Sequence, residues 1–137
     1  MSEIAARLAL VRERMGAAAL RAGRRAEDVR LIAVSKTFPL QAVREAYDAG
    51  QREFGENKVQ EALQKIDAQA DMRIGWHLIG HLQTNKLRRA LPHVGLLHSL
   101  DRTSLLDALA AELARTEGPP LPAFLQVNVS GETAKGG

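Results

Sequence analysis

The stretch that decides the fold is Val29-Arg30-Leu31-Ile32-Ala33-Val34-Ser35-Lys36-Thr37-Phe38-Pro39, a short aliphatic run that brings one lysine to its end and is then broken by proline. A run this short, flanked by polar residues and proline, favours a strand buried on both faces over a helix. Lys36 then follows the C-terminal end of the strand. Ligands of parallel α/β folds bind at that end, because the loops that leave the strands converge there.

Lys36 has two interpretations at this position. The sheet beneath it can withdraw the side chain from water, which favours the neutral, nucleophilic form of the amine. Alternatively, the methylene stem covers the strand end while the ammonium group stays in water. The spacing within this stretch, taken alone, favours the second interpretation.

The composition is ordinary for a globular protein, with 45% hydrophobic and 26% charged residues, and residues 1–137 are predicted to form one α/β domain. No cysteine is present, which excludes disulfides and thiol chemistry. Arg7 and Arg12 interrupt the apolar residues of the N-terminal segment, so we expect no signal peptide, no membrane partner and a cytoplasmic location. The net charge of +3 does not call for a nucleic-acid partner.

Strand and helix patterns alternate along the chain. Apolar residues at helical spacing predict an amphipathic helix over residues 2–22. The predicted strands are residues 29–35, 52–56, 74–80, 95–100 and 123–129, with a helix between each pair. Such crossover connections favour parallel strands. The order leaves two architectures open, a doubly wound sheet or part of a (β/α)8 barrel.

The barrel alternative carries a structural consequence. A complete barrel takes about 250 residues, so five strands would form an incomplete one. An unclosed barrel leaves apolar strand faces and two sheet edges uncovered.

Polar residues follow the ends of the predicted strands, where helix caps are needed in any case. Asn57, with Gln60 three residues later, matches a capping box, and its amide could also contact a ligand. Thr84 is a predicted cap for a short basic helix, and Asp101 or Thr103 for the helix after the fourth strand.

Two further groups of residues carry weaker signals. His77 and His81 are four residues apart, but the segment is a predicted strand and lacks the glutamate of the zinc-protease motif, so we expect no metal site. Lys86, Arg88 and Arg89 form a basic cluster that is more typical of a solvated helix face than of a nucleic-acid contact.

Several segments together resemble the pyridoxal phosphate homeostasis protein family, small relatives of the alanine-racemase-type barrel. They follow the family's order over nearly the whole chain. The matching segments are Leu31-Ile32-Ala33-Val34-Ser35-Lys36-Thr37, Phe54-Gly55-Glu56-Asn57-Lys58-Val59-Gln60-Glu61, Trp76-His77-Leu78-Ile79-Gly80-His81-Leu82-Gln83-Thr84-Asn85-Lys86, His98-Ser99-Leu100-Asp101 and Gln126-Val127-Asn128-Val129-Ser130-Gly131-Glu132.

The resemblance implies an incomplete (β/α)8 TIM-type barrel, made of an N-terminal helix and five parallel βα-type strands. It implies that Lys36 holds pyridoxal 5'-phosphate as a Schiff base and that Asn57 lies close to the cofactor ring. It also implies no catalytic residue, and a role in binding, buffering or delivering the cofactor to apoenzymes that depend on it. We expect a monomer.

Family members continue past the fifth strand into loops that hold the cofactor phosphate, so the chain resembles an N-terminal portion of such a protein and should bind the cofactor weakly through Lys36. The alternative is an enzyme fragment of the racemase or decarboxylase type. The racemases take an acid/base tyrosine from a second domain, whereas the one tyrosine here, Tyr47, falls on a predicted helix.

Overall fold

The computed structural model describes residues Met1–Gly137 and contains one sheet of five parallel strands. The helices are α1 (Glu3–Arg21), α2 (Leu40–Asp48), α3 (Val59–Ala68), α4 (Leu87–Ala90) and α5 (Thr103–Thr116). The strands are β1 (Ala33–Val34), β2 (Glu53–Glu56), β3 (Gly75–Leu78), β4 (Val94–Leu100) and β5 (Ala123–Leu125). The predicted alternation of strands and helices is confirmed.

The order of the strands decides between the two architectures that the sequence leaves open. Each strand pairs in parallel with the next strand of the chain, from β1 to β5. A doubly wound sheet would instead reverse its order at a switch point. Because crossovers between parallel strands are right-handed as a rule, strands that pair in chain order carry all their helices on one face. The chain is therefore wound like part of a (β/α)8 barrel.

Two clusters form the core between the sheet and the helices. Phe54 of β2 and Trp76 of β3 are partners in register, and their ring centroids lie 5.9 Å apart beneath Val43 of α2. The second cluster surrounds Leu97 of β4 and takes side chains from α3, α4 and α5. Its nine buried members are Val59, Leu63, Leu78, Leu82, Leu87, Ala90, Leu97, Leu105 and Leu109.

The opposite face of the sheet carries polar as well as apolar side chains. We call it the inner face, and it presents Val34, Gly55, His77, His98 and Phe124, because side chains alternate along a strand. Val34 is 47% exposed and Phe124 is 57% exposed. The uncovered strand faces expected of an unclosed barrel are confirmed, whereas the prediction that the first strand is buried on both faces is wrong.

The first strand is also shorter than predicted, since only Ala33 and Val34 of residues 29–35 pair with β2. The residues before Ala33 run beside the connection that precedes β2. There the side-chain amide of Gln51 donates to the carbonyl oxygen of Leu31 at 2.7 Å. This bond satisfies the Leu31 carbonyl oxygen, which would have paired with β2 if the first strand were longer. The last strand ends at Leu125, because β4 ends at its partner Leu100.

The predicted helix caps are wrong. α3 begins after Lys58, so Asn57 lies one residue outside the cap position. α5 begins after Arg102, and Thr84 opens a 3-10 turn, Thr84–Lys86, that leads into α4. None of these three helix starts has a side-chain capping hydrogen bond. No helix in the structure combines the length and apolar character needed to cross a membrane.

Replacing Leu97 by alanine tests the second core cluster. Leu97 has no exposed surface, so Leu97→Ala should lower the free energy of unfolding by about 2–5 kcal/mol through lost burial and a residual cavity. Urea denaturation followed by circular dichroism measures the change. The control Leu106→Ala removes a leucine that is 49% exposed and should cost less than about 1 kcal/mol. Equal losses in the two variants would contradict the assignment of the core.

Candidate functional site

Lys36 lies two residues beyond β1, in a tight turn that we call the Lys36 turn, residues 35–38. The amide of Phe38 donates to the carbonyl oxygen of Ser35 at 3.1 Å and closes the turn. Thr37, the third residue of the turn, has a φ of 66°, as a type II turn requires. This position usually holds glycine, and a β-branched residue there costs about 1–3 kcal/mol.

The side chain of Lys36 is exposed, in agreement with the second of its two interpretations. Ser35 is buried and points toward the helix-covered face, where it meets Glu56. Since side chains alternate at the end of a strand, we infer that Lys36 projects toward the inner face. A primary amine is thus accessible at the C-terminal end of the first strand, where parallel α/β folds bind ligands.

Two carboxylates and a lysine lie behind the Lys36 turn. We call Glu56, Glu61 and Lys65 the Lys65 cluster. Lys65 Nζ donates to Glu56 Oε1 at 2.5 Å and to Glu61 Oε1 at 3.2 Å. It also donates to the carbonyl oxygen of Ser35 at 2.6 Å. Lys65 and Glu56 are buried, whereas Glu61 is half-buried at the edge of the cluster.

Glu61 connects the cluster to the other side of the turn. Its Oε1 accepts the backbone amide of Thr37 at 2.6 Å. This hydrogen bond, assisted by the charge of Lys65, holds the pKa of the Glu61 carboxyl below its usual value. Glu61 is therefore ionised at neutral pH, which strengthens its bond to the Thr37 amide.

Asn57 lies at the C-terminal end of β2 and is packed closely against the end of β3. A Cβ added to Gly80 would lie 2.8 Å from the Asn57 Cα, so only glycine fits at position 80. The hydroxyl of Ser99 donates to the Gly80 carbonyl oxygen at 2.6 Å and joins the end of β4 to the same place. The structure thus brings the ends of three strands together around Asn57, but shows no side-chain hydrogen bond for its amide.

A hydrogen-bonded chain of polar side chains occupies the inner face. Glu53 pairs with Arg30 and lies 3.0 Å from His77 Nε2, while His77 Nδ1 lies 3.0 Å from His98 Nε2. The ionised carboxylate only accepts, so His77 Nε2 is assigned as the donor, and in that tautomer Nδ1 accepts from His98. His81, four residues after His77, is exposed and lies 3.7 Å from Asp101.

The charges along this chain shift its ionisation. The hydrogen bond from Arg30 holds the pKa of Glu53 below its usual value, and the bond from His77 acts in the same direction. Burial lowers the pKa of His98, and repulsion from a positive charge on the neighbouring His77 would act in the same direction. Glu53 is therefore ionised and His98 neutral at pH 7.

Sequence reasoning missed both polar groups. Alternation along the strands could have indicated the inner-face chain, because Glu53 and Gly55 of β2 point the same way as His77 of β3. The Lys65 cluster has no such signal. Lys65 and Glu61 are four residues apart on α3 and resemble an ordinary surface ion pair, and their link to β1 is made only by folding. Among the predicted basic residues, Arg88 pairs with Glu112 of α5.

Comparison with known proteins gives a consistent result. Residues 7–137 match the family described as alanine racemase, N-terminal domain. The chain belongs to this family. Among similar curated sequences, the pyridoxal phosphate homeostasis protein of Escherichia coli K12 is 46% identical over 144 residues, and that of Pseudomonas aeruginosa PAO1 is 49% identical over 138 residues. Both alignments span 100% of this chain and 59% of the relative, so the chain spans less than two thirds of the length of these relatives.

Solved structures show the same fold. PipY of Synechococcus elongatus PCC7942 without PLP superposes with a TM-score of 0.84 at 40% identity, covering 98% of this chain and 58% of PipY. The structure of PipY with PLP bound superposes with a TM-score of 0.79 at 41% identity, covering 95% and 57% of the two chains. The predicted family and the incomplete-barrel fold are confirmed.

Replacing Gly80 by alanine tests the close packing around Asn57. The added Cβ would press on backbone, so Gly80→Ala should lower the free energy of unfolding by about 1–3 kcal/mol. In Gly95→Ala the nearest atom is a Trp76 carbonyl oxygen at 3.6 Å, so this control should change stability by less than about 1 kcal/mol. Equal urea midpoints for the two variants would refute the close packing.

The inner-face chain predicts a pH dependence of stability. Because the pKa of His98 is lower in the folded than in the unfolded protein, the unfolded state binds more protons just below about pH 6.5. This contribution to stability is therefore complete above about pH 6.5 and is lost as the pH falls from there through the folded-state pKa.

Urea denaturation between about pH 7.5 and pH 5, where Glu53 remains ionised, measures this loss. His98→Gln should flatten the dependence, whereas His93→Gln, at an exposed histidine after α4, should leave it unchanged. Parallel curves for the wild type and His98→Gln would rule out the assignment.

Proposed function

We propose that this chain binds pyridoxal 5'-phosphate as a Schiff base on Lys36, without catalysis, and serves to store and deliver the cofactor. The observation that carries the proposal is an exposed lysine on an ordered turn at the C-terminal end of the first strand. The names of its curated relatives and the PLP bound in the second PipY structure point to the same ligand.

The residues present fit the aldehyde group of this ligand. An accessible primary amine condenses with an aldehyde, forming a C=N bond while the aldehyde oxygen leaves as water. When bound, the cofactor supplies an electron-withdrawing pyridine ring. Asn57 follows β2, the neighbour of β1, and its backbone packs against Gly80, which supports a contact between its amide and that ring. The role of Asn57 is part of the proposal.

An open site suits storage and delivery. Because Lys36 is exposed, water or the amine of another protein can reach the C=N bond and release the cofactor. The proposed role is transfer of the cofactor to apoenzymes in the cytoplasm.

The alternative is an enzyme of the racemase or decarboxylase type, which the matched family keeps open. Such an enzyme needs an acid/base group facing the cofactor. The tyrosine of this chain, Tyr47, lies on α2 in the helix layer, with the guanidinium of Arg52 stacked 3.9 Å above its ring. Its hydroxyl accepts the backbone amide of Arg73 at 3.3 Å. Tyr47 therefore makes its contacts in the helix layer, on the side of the sheet opposite the inner face.

An absorption spectrum tests the proposal. Adding pyridoxal 5'-phosphate to the wild type should give a visible band that borohydride reduction fixes to the peptide containing Lys36. Lys36→Ala should lose the band, because the amine that forms the bond is gone. The control Lys86→Ala removes another exposed lysine and should keep the band.

An unchanged band in Lys36→Ala would refute the attachment site. Racemisation of alanine faster than that caused by free cofactor would favour the enzyme alternative.

A further inference from the structure

The Lys36 turn needs contacts from outside itself. Thr37 adopts a left-handed conformation that its β-branched side chain disfavours. Within the turn, one backbone hydrogen bond, from Phe38 to Ser35, opposes this strain. Further contacts that hold the turn come from β2, where the Ser35 amide donates to the Gly55 carbonyl oxygen at 3.0 Å, and from α3, a helix that lies far along the chain from β1.

The Lys65 cluster holds the residues on both sides of Lys36. Before it, the Ser35 carbonyl oxygen accepts from Lys65 and the Ser35 hydroxyl donates to Glu56 at 2.7 Å. After it, the Thr37 amide donates to Glu61. Lys65 contacts both carboxylates, so the two attachments form one connected unit.

Stability alone is a poor account of this cluster. A buried ion pair loses most of its attraction to desolvation, and an apolar replacement of similar volume is often as stable. The second carboxylate oxygen of Glu56 is buried without a hydrogen-bond partner, which adds to the cost. The cluster instead fixes a geometry, because its charge-assisted hydrogen bonds hold the two backbone groups on either side of the exposed Lys36 amine.

We propose that Glu56, Glu61 and Lys65 are positioning residues for Lys36. They fix the Lys36 turn from the helix-covered face, so that the amine is presented toward the inner face in one orientation without being buried. This inference rests on the proposed attachment of the cofactor to Lys36. The cluster acts only through the backbone of Ser35 and Thr37 and through the Ser35 hydroxyl.

The test uses Glu61, at the half-buried edge of the cluster, because removing Lys65 would leave two carboxylates uncompensated and could unfold the protein. Glu61→Ala should raise the hydrogen-exchange rate of the Thr37 and Phe38 amides, and slow Schiff-base formation on Lys36, by about tenfold each, the equivalent of one charge-assisted hydrogen bond. Glu61→Gln keeps an oxygen acceptor for Thr37 and should restore both rates to within about threefold of the wild type.

Asp67→Ala is the matched control, since it removes an exposed carboxylate from the same helix, away from the turn. It should change neither rate. Amide exchange at Phe54 and Leu97 in the sheet reports whether Glu61→Ala remains folded. Wild-type exchange at Thr37 in folded Glu61→Ala, or wild-type Schiff-base formation despite a loosened turn, would overturn the inference.

Failure of the proposed function has a different signature. In that case the wild type itself shows no band that depends on Lys36. Hydrogen exchange requires no cofactor, so the ordering of the turn by Glu61 is then decided by the exchange rates of Thr37 and Phe38 alone. Faster exchange in Glu61→Ala with recovery in Glu61→Gln supports the positioning of Lys36, and unchanged exchange refutes it.

Discussion

Five parallel strands that pair in chain order must carry their crossover helices on one face of the sheet, because every crossover has the same hand. The apolar residues of the chain follow this constraint. Phe54, Leu78 and Leu97 point toward the helices and are almost completely buried. The inner face has no helix to cover it, so its residues interact with one another and with solvent. The two faces of one sheet therefore differ in character, with an apolar core on the helix side and polar and exposed side chains on the other.

The polar chain on the inner face shows how a sheet without a cover holds its strands. Glu53 of β2, His77 of β3 and His98 of β4 are joined side by side across three strands. Each link pairs a donor with an acceptor, which limits the desolvation cost of burying His77. The edge of Phe124 then packs against His98, with ring centroids 5.2 Å apart, and extends the contacts to β5. Hydrogen bonds and an aromatic contact thus connect β2 to β5 across the inner face.

The sequence predicts the elements that depend on local patterns. Alternating strand and helix periods yield the order of the elements, and the short run before Pro39 correctly brings Lys36 to a strand end. The strand order of the sheet depends on which strands pair, from β1 with β2 to β4 with β5, and local secondary-structure propensity carries no information on that pairing. The prediction of Asn57 as a cap is wrong, because a capping residue must adopt particular backbone angles, and here the helix begins one residue later. Lys65 resembles a surface lysine until α3 packs behind β1.

Exposure and order are usually in conflict for a reactive side chain, since burial is the common way to fix a rotamer or a backbone. Here the amine of Lys36 stays open to solvent while the peptide groups beside it are fixed from behind. The buried charges lie on the helix-covered face, so they order the turn without enclosing the Lys36 amine. A site built in this way can be selective in geometry and still release its ligand, because the contacts that order the turn are not the contacts that would retain a cofactor.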